Sequence, residues 1–238
     1  MTHDRLAVVA GASGAIGHAM ATQLATTGWS VIATFRRHRP DPLDGIIWVP
    51  FDGSSDAGGQ ELRSVIQTDP RPVSALLCCI GAPSSKRRIA DTDASEFDAV
   101  FASNVTAVVR LWHATHESAR RGQAGVVVLG SSTTSQLRPG NGAYSSAKAG
   151  LEALVATLAA EEAEQGVRIN LVAPSLVDSP LAESILAVKG VTDPAAYYQG
   201  LPWGRPLSTR GGIGCHRHRD RATLALCQWS GGAARGAW

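Results

Sequence analysis

A short apolar run, LAVVA at 6–10, feeds directly into GASGAIG at 11–17, and a helix-forming stretch follows at once. No other feature of the chain narrows its fold as far. A strand that turns within a few residues into a helix, with Gly11, Gly14 and Gly17 at the turn, suits the opening βαβ unit of a parallel sheet. Gly11 permits the tight turn, Gly14 lets backbone approach a pyrophosphate, and Gly17 lets the helix pack against the strand. With Ser13 and Ile16 these residues form a loop whose free N–H groups, backed by the helix dipole, suit an anion. The letters G-A-S-G-A also resemble a nucleophile elbow around Ser13. An elbow needs glycine where Ala15 stands, and it follows several strands rather than the first.

Apolar runs continue at 31–35, 46–50, 75–80, 126–129 and 168–172, and most are unbroken rather than alternating. Such runs suit strands covered on both faces. Helical patterns fall between them near 16–27, 59–68, 95–120 and 144–165. In the last, Leu151, Leu154, Val155 and Leu158 follow an i, i+3, i+4, i+7 rule. The alternation predicts an α/β fold, a single-domain Rossmann-like doubly wound parallel sheet in the order 3-2-1-4-5-6. A chain of 238 residues with 44% hydrophobic content supports one large core.

Composition removes several function classes. A net charge of +2 gives no field for nucleic acid. No apolar run reaches the ~18 residues of a membrane span, and the first residues lack the apolar core of a signal peptide. Four cysteines, two of them adjacent at Cys78 and Cys79, do not form a disulfide framework. A reduced, cytoplasmic protein is expected. Cys215, His216, His218 and Cys227 match no familiar zinc spacing, so no metal is expected.

After the second strand the chain reads TFRRHRP, with no carboxylate between 18 and 40. A fold of this kind that prefers NAD carries an acid here for the ribose 2′-OH. Arg36 and Arg37 suit the 2′-phosphate of NADP(H) instead. Asp52 follows the third strand and is placed for the adenine end. Later, GNGAYSSAKAG at 140–150 sets Tyr144 and Lys148 four residues apart, on one face of a helix.

With GASGAIG and AYSSAK both present, the chain resembles the short-chain dehydrogenase/reductase family, and within it the 3-oxoacyl-carrier-protein reductase-like members. The resemblance runs from residue 5 to about 209. It matches the family's catalytic asparagine, serine, tyrosine and lysine to Asn104 in FASNVTAV, Ser131 in VVVLGSS, Tyr144 and Lys148. Gly81 in CIGA and Pro174 in VAPS match cofactor-side positions, and Ser179 stands where a threonine usually touches the nicotinamide carboxamide. Three letters depart from the pattern: Ala15 and Ser175 replace glycines, and Cys79 replaces an asparagine.

The resemblance implies an NADPH-dependent reduction of a ketone to a secondary alcohol, on a small-molecule or carrier-bound substrate. Lys148 would acidify the Tyr144 phenol and hold the nicotinamide ribose, Ser131 would bind the substrate oxygen, and Asn104 would hold a water. It also implies a homodimer or homotetramer. The same site run backwards is an NADP-linked alcohol dehydrogenase, and a non-catalytic dinucleotide sensor would keep the glycine loop alone. Residues 1–209 read as the NADP-binding domain, with a substrate lid at about 176–203. Lys86, Arg87 and Arg88 read as a solvated loop first, and as a docking point for a charged cofactor or acyl carrier second. The segment 210–238 departs from the family's last helix and strand. It carries five arginines against one aspartate and reads as a frameshift near residue 210.

Overall fold

The structure, a computed structural model, describes residues 5–188, 190–201 and 204–208, with two short strands at 213–216 and 226–228. Its centre is one parallel sheet. β1 (Leu6–Ala10), β2 (Ser30–Phe35), β3 (Ile46–Pro50), β4 (Val73–Cys78), β5 (Gly125–Leu129) and β6 (Arg168–Val172) lie in the order β3-β2-β1-β4-β5-β6, as the alternation predicts. The register is direct: Val8 pairs with Ile32 on one side and Leu76 on the other.

The side chains explain why both faces are covered. Along β1, Leu6, Val8 and Ala10 enter one core cluster, while Val9 enters a second. Ile32 and Val49 join the first; Val31, Ala33 and Trp48 join the second. This two-residue alternation of purely apolar letters makes each run look unbroken in sequence. Helix α1 (Ala15–Thr26) covers the second cluster through Met20 and Ala21. Helices α2 (Gln60–Thr68), α4 (Ala107–Arg121) and α5 (Gly142–Glu162) cover the first, through Leu62, Ile66, Leu111 and Leu151. Arg120 of α4 grips Glu162 of α5 with two hydrogen bonds of 2.8 and 2.7 Å, tying the two helix ends together.

Two elements depart from expectation. The fourth strand is Val73–Cys78 rather than 75–80, so Cys79 and Ile80 belong to the loop beyond it. The helix expected over 95–120 is interrupted. Helix α3 (Ala94–Phe101) and α4 are joined by a π-helical turn at Ala102–Thr106. Beyond β6, α6 (Pro180–Val188) and α7 (Pro194–Gln199) occupy the span expected to be a lid. The strands β7 (Ile213–His216) and β8 (Leu226–Gln228) pair antiparallel, apart from the main sheet. The rest of the 210–238 segment, and so the frameshift reading, lies outside the described residues. No helix among the described residues is long and apolar enough to cross a membrane.

Candidate active site

The strand order reverses between β1 and its neighbours β2 and β4, and ligands of such sheets bind beyond the carboxyl ends of the strands at that point. The glycine loop sits there. Gly11 has φ +77°, and a Cβ on it would meet the Cys79 carbonyl oxygen at 2.8 Å. A Cβ on Gly17 would meet the Gly11 oxygen at 2.5 Å, so the first turn of α1 is seated on the loop itself. The Gly11 N–H donates to Thr34 Oγ1 at 3.0 Å, and Ala12 N–H to the Thr34 carbonyl at 2.9 Å, which pins the loop to β2. Gly14 is the N-cap of α1; no side chain caps it and no acid stands in the first turn. Ser13 and Gly14 are exposed, and Ile16 packs on the second core cluster. A helix start left open in this way suits a phosphate.

Arg36 and Arg37 are exposed just past the end of β2. Asp52 lies past β3 and accepts the Ser54 N–H at 3.0 Å. That bond, chiefly, holds its carboxyl below the usual range, with smaller contributions from Arg36 and Arg37. All three therefore share one corner of the crevice. Cys79, in the place of the family's asparagine, donates its N–H to the Ala10 carbonyl at 2.9 Å. Its thiol and that of Cys78 are both pushed up by burial, Cys78 to about 11.

The polar residues expected to act together converge beyond β4 and β5. The π-turn buries Asn104, whose Nδ2 donates to the Val100 carbonyl at 2.8 Å and the Ala82 carbonyl at 2.9 Å. Its Oδ1 is buried without a partner and points at Gly81, where a Cβ would lie 2.8 Å from it. The same Cβ would lie 3.4 Å from Lys148 Nζ, so only glycine lets Asn104 and Lys148 come together. Lys148 is 3% exposed and donates to the Leu129 carbonyl, at the end of β5, at 3.0 Å. Ser131 follows two residues later. Its Oγ accepts from Thr133 N–H at 3.3 Å and from the Thr133 hydroxyl at 3.1 Å.

Burial sets the electrostatics. It raises the Tyr144 phenol above its ordinary value, while the Ser131 hydroxyl beside it acts the other way. It lowers the Lys148 ammonium to about 8. Sequence reasoning expects Lys148 to acidify Tyr144; here burial disfavours the charged form of each. The ammonium is spent on Leu129 and stands 5.7 Å from the phenol ring centroid.

Pro174 lies across from Ser131, its carbonyl accepting the Ser132 N–H at 3.1 Å. Ser179 is used otherwise: its Oγ donates to the Val177 carbonyl at 3.0 Å and accepts from Ala182 N–H at 3.3 Å, starting α6. Sequence reasoning missed Thr34, Thr133 and Asn141. It also read Lys86 as solvated, whereas its Nζ stands 5.1 Å from the Tyr144 ring centroid. A signal for Thr34 existed: a lone hydroxyl in the apolar strand VIATF.

Comparison with known proteins places the fold in a family. The family profile described as short chain dehydrogenase matches residues 5–189. An NAD-dependent oxidoreductase of Mycobacterium tuberculosis, itself uncharacterised, is 29% identical, covering 88% of this chain and 84% of its own. The 3-oxoacyl-[acyl-carrier-protein] reductase of Escherichia coli is 26% identical, covering 76% and 77%. Among solved structures, a single-residue variant of actinorhodin polyketide ketoreductase with NADPH superposes with a TM-score of 0.78 at 22% identity, covering 88% and 87%.

Proposed function

The chain belongs to the short chain dehydrogenase family, and from that premise we propose that it reduces a ketone to a secondary alcohol with NADPH. The observation that carries this reading is that Asn104 and Lys148 meet at Gly81 while Tyr144 stands beside both Lys148 and Ser131, at the carboxyl ends of β4 and β5. The residues present fit the dinucleotide. The open start of α1 suits its pyrophosphate, Arg36 and Arg37 suit a 2′-phosphate, and Lys148 and Pro174, at the ends of β5 and β6, would hold the nicotinamide end. When bound, NADPH supplies the hydride, and the protein supplies position and a proton.

Each residue then has a physical task. Ser131 accepts two hydrogen bonds from Thr133, so its own proton is turned to the Tyr144 hydroxyl, where a substrate oxygen would take it up. Tyr144, raised by burial, holds its proton at neutral pH and gives it up as charge grows on that oxygen. Lys148, near 8, is mostly protonated at pH 7 and restores the phenol. The partnerless Oδ1 of Asn104 is placed to accept from a water that would link Lys148 to solvent. The alcohol dehydrogenase direction, in which Tyr144 would act as the base, is the second reading.

The substrate is a 3-oxoacyl or similar carbonyl metabolite, free or carrier-bound. Residues 1–209 form the functional domain, with 176–203 as the substrate lid, in a homodimer or homotetramer in the cytoplasm. The test is NADPH oxidation against 3-oxoacyl thioesters, cyclic ketones and keto sugars. NADPH binding without turnover on the whole panel would leave a dinucleotide sensor in place of a reductase.

A further inference from the structure

The Tyr144 ring has a second ammonium beside it. Lys86 Nζ stands 5.1 Å from the ring centroid, nearer than the 5.7 Å of Lys148. The two lysines reach the ring from different parts of the chain. Lys148 comes from one turn along α5, whereas Lys86 comes from the loop that follows β4 and carries Gly81.

Three features hold Lys86 in place. Its backbone is left-handed, with φ +66°, a conformation that glycine or asparagine adopts at less cost. Its Nζ donates to Asn141 Oδ1 at 2.6 Å, and Asn141 is the N-cap of the helix that bears Tyr144. Gly140, at φ +80°, lets the facing loop close on it: a Cβ there would meet the Lys86 carbonyl oxygen at 2.5 Å. Strain retained beside a reacting group points to a role for the side chain that carries it.

The charges of the two loops and the first turn of α3, Lys86, Arg87, Arg88 and Arg138 against Asp91, Asp93 and Glu96, are basic by one. Glu96 is turned to the Ser85 N–H at 2.7 Å and to Arg87 at 3.5 Å. Arg88 is exposed on the same loop, and Arg138 on the facing one. The phenol oxygen belongs to the ring that Lys86 overlies, so a carbonyl oxygen bonded to it would set the next few carbons, spaced ~1.5 Å per bond, within reach of this cation. We propose that Lys86 is a specificity-determining residue: it selects ketones that bear a carboxylate about one to three carbons from the carbonyl. This inference rests on the ketone reductase reading and narrows its substrate to the free oxo acid, since a carrier-bound 3-oxoacyl thioester has no carboxylate at that position. Opposite charges ~6 Å apart at an effective dielectric of ~20 discriminate by roughly 100-fold, and solvent screening brings that to about 10-fold.

The test uses the full chain with NADPH and two matched pairs of ketones: acetoacetate with methyl acetoacetate, and levulinate with methyl levulinate. For each pair the ratio of kcat/KM, acid over ester, is measured in the wild type, Lys86→Met and Lys86→Arg. Lys86→Met is expected to lower the ratio about 10-fold, chiefly through KM of the acid, and Lys86→Arg to retain most of it. If Lys86 only tied the loop to Asn141, Lys86→Met would slow acid and ester alike, and an unchanged ratio overturns the proposal. Wild-type protein that prefers the esters overturns it too. Wild-type protein that reduces other ketones of the wider panel but no member of either pair overturns the substrate class alone, whereas no turnover on any ketone overturns the reductase reading.

Discussion

Lys148 Nζ donates to the Leu129 carbonyl at 3.0 Å and stands 5.7 Å from the Tyr144 ring centroid. The bond fixes the first turns of α5 against the end of β5, so that the Tyr144 and Ser131 hydroxyls meet. Tyr144→Phe removes the proposed proton donor and little else, since the ring stays packed against the core. Turnover is expected to fall about 10²- to 10⁴-fold, with NADPH affinity within about three-fold of wild type. Fluorescence titration and steady-state kinetics check both halves, and a mutant with wild-type turnover removes Tyr144 from the chemistry.

Arg36 and Arg37 are tied to cofactor choice through their position at the end of β2, in the corner they share with Asp52. Replacing both with alanine should weaken NADPH binding about 10- to 100-fold and NADH binding by less than about three-fold, since only NADPH carries the 2′-phosphate. Calorimetry with each cofactor decides it, and equal losses would reassign the arginines to the solvated surface.

Gly14 and Gly17 should part company under the same substitution. A Cβ on Gly17 meets the Gly11 oxygen at 2.5 Å and the Ala12 Cα at 2.9 Å, whereas one on Gly14 meets nothing nearer than 3.4 Å. Gly17→Ala must lift α1 off the loop, at a cost of about 1–3 kcal/mol and a Tm lower by several degrees. Gly14→Ala should leave Tm within about 1 °C and weaken the dinucleotide only. Thermal melts with and without NADPH separate the two, and matching losses of Tm would contradict the packing described.

The strands were legible because both faces of the sheet demand apolar residues, so each appears as a continuous run. The same continuity misplaced the fourth: Cys79 and Ile80 extend the apolar run past the point where pairing with β5 stops at Cys78. The break between α3 and α4 left no trace in composition, because a π-turn changes hydrogen-bond spacing and not residue type. Asn104 itself could be found only by its family resemblance, although its partnerless Oδ1 is the physical sign of its task. Lys86 was hidden for a different reason. A lysine in a run of basic letters reads as solvated, and only its left-handed backbone and the closeness of Gly140 bring it to Tyr144.

Glu162 is 2% exposed, and its two bonds to Arg120 hold its carboxyl below the usual range. Arg120→Met leaves that carboxylate buried without its partner and should cost about 2–4 kcal/mol. The pH dependence follows from the depressed value. The pair stabilises fully above the unfolded carboxyl value of 4.5 and loses that contribution as pH falls through the lower folded one. Urea unfolding at pH 7 and pH 3.5 should therefore show the gap between wild type and Arg120→Met narrowing in acid. A gap that stays constant would mean that the pair does not set the ionisation of Glu162.

Lys148 works in the opposite sense at the alkaline end. Burial lowers its ammonium from 10.5 to about 8, so the folded state binds the proton less tightly than the unfolded chain does. Below about pH 8 both states are protonated, and the folded state bears the whole cost of burying the charge, about 3 kcal/mol. Between about 8 and 10.5 the unfolded chain holds more protons, so this contribution to stability rises with pH. Cys78, raised to about 11 by burial, acts against it in part of that range, as does Tyr144. The wild-type curve alone would blend these effects, and the difference from Lys148→Met isolates the ammonium. Relative to Lys148→Met, the wild type should gain about 2 kcal/mol between pH 7.5 and pH 9.5 in urea unfolding. A difference that does not move with pH would mean that the bond to Leu129 offsets the burial of the charge, and that Lys148 remains fully protonated at the pH where the proposed phenol has to be recharged.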